Sequence, residues 1–155
     1  MHYRQFLRSA ERHLQICRQL LDEYDSLINN QKKVFLLAEV YYLSGYILES
    51  SLSYAFFSYI RYTGDIYSSE HFRNSCFKTH QILMKYQYMA QRSCVINDLL
   101  FVSRVHKSKD LQTLFNQWDV KYRYEQLPNL DKRLIVCYID EIEKGLIKIK
   151  TQFPS

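Results

Sequence analysis

Residues 40–60 read VYYLSGYILESSLSYAFFSYI and contain a single charged residue, Glu49. The length of this stretch matches a bilayer span. However, it also holds five serines and five tyrosines, and an acid near the middle of a span costs roughly 2.5–3.5 kcal/mol on membrane insertion. The stretch therefore predicts a helix enclosed by other helices and apolar on most of its sides. We expect no membrane partner.

Helical signals continue on the N-terminal side and set the ends of the central helix. We predict that the central helix covers residues 33–62 and ends at Thr63-Gly64-Asp65, because glycine tolerates the left-handed turn found at many helix C-termini. Before it, Asn29-Asn30 is the predicted stop of a long N-terminal helix. Apolar residues of that helix recur at steps of three and four, and the stripe consists of Phe6, Ala10, Leu14, Cys17, Leu21, Tyr24 and Ile28.

Helical signals also continue towards the C-terminus. A third helix is predicted from about Thr79 to Ala90, with a weaker signal over residues 95–104. Ser108 is a typical N-cap for a fourth helix that ends before Pro128, and Asn129 is the predicted cap of the last helix. The apolar stripe of the last helix consists of Ile135, Tyr138, Ile139, Ile142, Leu146 and Ile149.

The composition favours one helical domain in the cytoplasm. Three glycines and two prolines in 155 residues are too few for the tight turns of a sheet-rich fold. The four cysteines include no C-x-x-C pair, and the N-terminus is too polar for a signal peptide, so a reducing cytoplasm is expected. We predict an all-α fold, an antiparallel bundle of about five helices that forms a single domain over residues 1–155.

The net charge and the motifs place few limits on the possible function. The formal net charge of +5 suits a phosphate-bearing partner such as a nucleotide or RNA, although on charge alone a solvated helix surface is the favoured explanation. The sequence has no phosphate-binding glycine loop, no nucleophile elbow and no helical metal-binding pair of histidines. We therefore predict neither a metal nor a cofactor.

Glu49 raises a physical question of its own. A carboxylate in a buried helix requires a partner or must take up a proton. Arg123 is the predicted partner, because a planar guanidinium can bind a carboxylate through two hydrogen bonds. Such a pair is either a structural tie between helices or part of a ligand site, since perturbed buried charges cluster at functional sites. The sequence leaves both readings open.

Three segments in this order resemble HEPN domains (higher eukaryotes and prokaryotes nucleotide-binding). The segment 41–52, YYLSGYILESSL, is similar to the YYLAGYxxExxL helix of that family. Lys78-Thr79-His80-Gln81-Ile82 is similar to its K-x-H-D-L helix start, and Tyr122-Arg123-Tyr124-Glu125 is similar to the end of its penultimate helix. The resemblance covers residues 3–150. It departs from the family at Ser53, where many relatives have lysine, and at Gln81, where they have aspartate.

The resemblance implies a function as well as a fold. HEPN domains are commonly dimeric, often work beside a nucleotidyltransferase, and either bind nucleotides or cleave RNA in toxin–antitoxin systems. By resemblance we expect a non-catalytic module in the cytoplasm that forms a homodimer and binds a nucleotide or a nucleotidyltransferase-like partner. The expected ligand-binding residues are Tyr46, Glu49, His80, Arg123 and Tyr124.

Arg73 and His80 support a competing hypothesis, because together they match the R-x(4–6)-H motif of the RNase members. A histidine could move the proton of the 2′-hydroxyl while an arginine stabilises the phosphorane-like charge, without a metal. In the RNase members the motif lies beside the last helix, whereas here it lies at mid-chain. We therefore favour no catalytic residue, and keep an RNase toxin and a structural helical adaptor without ligand as alternatives.

Overall fold

In the computed structural model, residues 1–73, 77–91, 108–123 and 130–154 are described, with the backbone alone for Ala90 and Arg123. This part of the chain contains α-helices and short 3-10 turns but no strand, so the all-α prediction is confirmed. The six α-helices are α1 (Arg4–Glu23), α2 (Asn30–Tyr59), α3 (Glu70–Arg73), α4 (Ile82–Ala90), α5 (Lys109–Gln117) and α6 (Lys132–Gln152). Among them, no helix combines the length and the apolar character that crossing a membrane requires.

The central position of α2 follows from its composition. Buried residues lie on most sides of the helix, including serines as well as large apolar residues. Ser44 and Ser51 avoid unsatisfied hydroxyls by donating to the α2 backbone, at 2.5 Å to the carbonyl of Tyr41 and 2.6 Å to that of Ile47. Such local bonds let a serine-rich helix be enclosed at little energetic cost.

The other two long helices, α1 and α6, pack against α2. α1 runs antiparallel to α2, since Phe6 stacks on Phe57 with ring centroids 6.2 Å apart and the Cys17 thiol lies 3.7 Å from the Val40 carbonyl. The predicted stripe of α6 is buried in full. α6 runs in the same direction as α2, because contacts at their first halves, such as the Tyr41–Tyr138 ring pair at 6.0 Å, are followed by contacts at their ends.

The C-terminus of α2 differs from the prediction. The helix ends at Tyr59, and the left-handed position is taken by Arg61, with φ of 51°, while no glycine of the described chain has a positive φ. The Arg61 N–H donates to the Ser58 carbonyl and the Tyr62 N–H to the Phe57 carbonyl, both at 3.0 Å. This pair of bonds is a Schellman motif, in which glycine usually holds the left-handed position.

Other helix ends agree with the prediction in part. Ser108 caps α5 as predicted, its hydroxyl accepting the Leu111 N–H at 3.4 Å. α5 stops at Gln117, ten residues before the predicted region of its end. α6 is capped by Asp131, which accepts the Leu134 N–H at 3.0 Å; the predicted cap, Asn129, lies outside the described residues.

Two further predictions concern the flanks of these helices. Ile28 belongs to the predicted α1 stripe, but it lies in the loop after the helix and is 98% exposed. The stripe fails there because α1 ends at Glu23 and a 3-10 turn changes the direction of the chain. The predicted helical signal over residues 95–104 lies outside the described residues.

Candidate functional site

The carboxylate of Glu49 is the centre of a polar cluster between α2 and α4. One oxygen, Oε1, contacts the ammonium of Lys85, and the other, Oε2, lies 2.8 Å from Nδ1 of His80. The three side chains differ strongly in solvent exposure, at 1% for Lys85, 15% for Glu49 and 51% for His80. The cluster therefore leads from a buried cation, through a shared carboxylate, to a histidine at the surface.

The register of α4 explains why a lysine is buried. Ile82, Tyr86 and Met89 are buried at helical spacing, and Lys85 shares their face because it lies three residues after Ile82. The ammonium also lies 5.9 Å from the ring centroid of Phe77. A buried ammonium is strongly disfavoured without an anionic partner. The burial of Lys85 in α4 therefore requires a carboxylate such as that of Glu49 beside it.

His80 is positioned by the start of the same helix. Gln81 is the N-cap of α4 and has extended backbone angles, so His80 lies just outside the helix and beside its first turn. Nδ1 of the imidazole is held by Glu49. With half of the side chain in solvent, the remaining nitrogen, Nε2, is the one that a ligand can reach.

Aromatic rings surround the cluster on the α2 side. The ring of Tyr46 contacts His80 edge-on, with centroids 5.5 Å apart, and contacts Trp118 edge-on at 5.7 Å. Its hydroxyl lies 2.7 Å from that of Tyr42, and the His13 ring stacks on the Tyr46 ring with centroids 5.8 Å apart. Tyr46 is therefore held from several directions beside the exposed histidine.

Gly45 is required by the same aromatic group. The group that lies against this glycine is a side chain rather than a neighbouring backbone. A Cβ atom at position 45 would lie 1.8 Å from Cε2 of Trp118, and the indole N–H is fixed by donating to the Tyr42 carbonyl at 3.1 Å. Trp118 reaches α2 because α5 ends one residue earlier and Trp118 itself is extended.

The structure brings together three of the predicted ligand-binding residues, namely Tyr46, Glu49 and His80. The side chain of Arg123 and all of Tyr124 lie outside the described residues, so the predicted Glu49–Arg123 pair stays a prediction. Both carboxylate oxygens of Glu49 nevertheless already have cationic or hydrogen-bonding partners in Lys85 and His80.

Lys85 was missed in the sequence, although a signal for it existed. Lysine at a position of an otherwise apolar helical stripe is unusual, because lysine is almost never buried without a partner. In many HEPN relatives, the lysine near the glutamate that corresponds to Glu49 lies four residues after it in the same helix. In this chain that position is Ser53, and its hydroxyl turns back to the Glu49 carbonyl at 2.9 Å.

The Arg73–His80 pair is not assembled in the described part of the structure. Arg73 is exposed at the end of α3, and no hydrogen bond or ion pair joins it to His80 there. Residues 74–76, which connect the two, lie outside the described residues. His80 is associated with Glu49 instead.

Comparison with known proteins does not extend these observations. Neither the protein-family models, nor the curated proteins, nor the solved structures contain a match to this chain. The HEPN resemblance therefore rests on the order of its motifs.

His13 gives a pH-dependent prediction for this site. Burial is the main cause that lowers the pKa of His13 from its ordinary value of 6.5, assisted by Arg12 and opposed by the Ser9 carbonyl and by Glu49. In the unfolded chain His13 therefore takes up a proton near pH 6.5, whereas in the folded chain it does so only at lower pH. The contribution to stability is complete above pH 6.5 and is lost as the pH falls through the folded pKa.

We expect His13→Gln to remove this part of the pH dependence. Because the ring is only half-buried, the effect should be about 1 kcal/mol or less. Urea unfolding gives the free energy of unfolding of the parent and of His13→Gln at pH 7.5 and at pH 5. The effect of His13 is the amount by which the parent loses more stability than the variant between these two pH values. Equal losses in parent and variant would show that His13 does not contribute.

Proposed function

We propose that this chain is a HEPN-type helical module that binds a nucleotide at the Glu49 cluster. The observation that carries the proposal is His80, a half-exposed imidazole held by a carboxylate whose second oxygen is held by a buried lysine. Buried charges organised around an exposed polar group are more frequent at functional sites than on ordinary surfaces. The motif order in the sequence supports the same conclusion independently.

The cluster offers a nucleotide several complementary groups. A protonated His80 would attract a phosphate. Glu49, at 15% exposure, would accept a hydrogen bond from a ribose hydroxyl. Tyr46 lies against His80 and would contact the base, since aromatic rings provide stacking area with little conformational freedom to lose.

The test is a titration with ATP and with GTP in which the melting temperature of the protein is measured. A nucleotide at 100 times its dissociation constant should stabilise the folded protein by about 2.7 kcal/mol. We expect His80→Ala to abolish this stabilisation. Gln81→Ala is the matched control, because Gln81 is the exposed next residue and makes no capping bond through its side chain. Stabilisation that persists in His80→Ala would place the nucleotide elsewhere.

A metal-independent RNase is the second candidate, and one observation favours it. An imidazole whose Nδ1 is held by a carboxylate is well placed to transfer protons through Nε2. Incubation with unstructured RNA in EDTA tests this reaction. Cleavage by the parent but not by His80→Ala would replace the non-catalytic proposal, and an Arg73→Ala variant would then show whether that arginine takes part.

Assembly is a separate part of the proposal. By resemblance we expect a homodimer and a nucleotidyltransferase-like partner, and the cysteine pattern favours the cytoplasm as their location. Light scattering on the purified protein measures the first, and co-purification of the partner measures the second. A protein that neither binds nucleotide nor cleaves RNA would instead be a structural helical adaptor.

A further inference from the structure

A pocket lies at the end of the bundle where α1 begins and where α2 and α6 end. Its volume is about 470 Å³, within the range of roughly 300–1,000 Å³ found for small-molecule sites. Tyr3, Tyr59, Arg61, Gln152 and Phe153 line it. None of these residues belongs to the Glu49 cluster, so the pocket requires an explanation of its own.

The walls of the pocket are fixed by contacts between helices. Tyr3 stacks on Tyr54, with centroids 5.8 Å apart, and the Tyr54 hydroxyl donates to the Phe153 carbonyl at 2.6 Å. The ends of α1, α2 and α6 are thereby tied together. A site with walls of this kind is largely formed before a ligand arrives, which lowers the entropic cost of binding.

Arg61 is the cation of the pocket, and its backbone is strained. Its φ of 51° lies in the left-handed region, where residues with a side chain are disfavoured and where glycine or asparagine is usual. Within the described residues its guanidinium has no ion pair or hydrogen bond. None of the described residues that line the pocket carries a carboxylate, so none of them neutralises the charge of Arg61.

The helix dipole does not explain why arginine occupies this position. A cation near a helix C-terminus is favourable, but any exposed residue of the last turn of α2 could carry the charge without strain. Three of the carbonyls at this end are also already bonded, to the backbone N–H groups of Ile60, Arg61 and Tyr62. Strained residues are concentrated at functional sites, and Arg61 is such a residue among the aromatic residues that line this pocket.

We propose that this pocket binds a small organic anion, a carboxylate or phosphate attached to a planar ring. The guanidinium of Arg61 binds the anionic group through two parallel hydrogen bonds. Tyr3, Tyr59 and Phe153 contact the ring, and the Gln152 amide supplies a further donor. The proposal is independent of nucleotide binding at Glu49.

The test uses phenyl phosphate, benzoate and uncharged benzamide, titrated against the intact protein by calorimetry. We expect at least one of the two anions to bind, and to bind at least about tenfold more tightly than benzamide, a difference of about 1.4 kcal/mol. The anion that binds more tightly, phenyl phosphate or benzoate, shows whether the pocket prefers a phosphate or a carboxylate. Binding that is lost in Arg61→Gln belongs to this pocket, which separates it from binding at the Glu49 cluster.

Two variants of Arg61 separate function from backbone strain. Arg61→Gln keeps the strained position but removes the charge, and should weaken anion binding at least about tenfold. Arg61→Gly should weaken binding to the same degree while raising the melting temperature by about 2–4 °C, because glycine adopts the left-handed conformation freely. Arg133→Gln is the control, since this exposed arginine lies at the other end of α6, roughly 28 Å from Gln152 along the helix axis.

Three results would overturn the proposal. Neither anion binds at millimolar concentration, benzamide binds as tightly as the anions, or anion binding survives Arg61→Gln. Glutamine at position 61 must adopt the same left-handed backbone conformation as arginine, so Arg61→Gln should not change the stability of the fold. A loss of anion binding at an unchanged melting temperature therefore supports the proposal directly.

Discussion

Replacing Glu49 with leucine should lower the free energy of unfolding by about 3–5 kcal/mol, the usual cost of breaking a buried ion pair on one side. Lys85 is only 1% exposed and would lose the carboxylate that its ammonium contacts. His80 would lose the acceptor for its Nδ1 at the same time. Such a loss is a large share of the roughly 5–15 kcal/mol that stabilises a typical domain. Urea unfolding, with the midpoint and slope fitted together, measures the effect.

A second substitution in the same protein tests the cause. Combining Glu49→Leu with Lys85→Met should restore stability to within about 1 kcal/mol of the parent, because an apolar pair of similar size often replaces a buried ion pair without loss. Glu11→Leu is the control for an exposed pair. Glu11 binds Lys150 at 2.5 Å with both side chains more than 40% exposed, so its replacement should cost about 1 kcal/mol or less. A Glu49→Leu effect no larger than that of Glu11→Leu would contradict the buried pair.

Gly45→Ala should destabilise the protein by about 3 kcal/mol, although alanine is the better helix former by about 1 kcal/mol. The added Cβ would lie 1.8 Å from Cε2 and 2.1 Å from Cζ2 of Trp118. The indole cannot move aside cheaply, because it is 7% exposed and its N–H is bonded to the Tyr42 carbonyl. Thermal or urea unfolding measures the loss.

A double-mutant cycle assigns this effect to the indole. In a Trp118→Ala background, Gly45→Ala should become neutral or stabilising by up to about 1 kcal/mol. Gly64→Ala is the matched control, since its Cβ would meet mainly the hydroxyl end of the Tyr62 side chain, at 2.8 Å. Equal costs of Gly45→Ala with and without Trp118 would show that the indole is not the obstacle.

These two experiments also bear on function. If the Glu49–Lys85 pair serves stability alone, the Leu–Met double variant should behave like the parent in the nucleotide titration. If Glu49 contacts a ligand, the double variant should fold normally but bind nucleotide more weakly. The same protein therefore distinguishes the structural role of the pair from the proposed binding role.

The sequence predicted most of the fold, because hydrophobic periodicity reports directly on burial. Every residue of the predicted α6 stripe is buried, and α2 is enclosed as its lack of charge required. The prediction failed where a helix ends for tertiary reasons. Gly64 was the obvious terminator of α2, but the chain turns at Arg61, where local preference alone would not place an arginine.

For the functional site, the sequence by itself determined that Glu49 lies in a buried helix and therefore needs a partner, and the resemblance added His80 and Tyr46. Only the tertiary structure decided that Lys85 is that partner and that Trp118 covers Gly45. The physical reason is that residue spacing fixes the face of a helix on which a side chain lies. The relative positions of two helices depend on packing along their whole lengths, so contacts between them cannot be obtained from the spacing within either one.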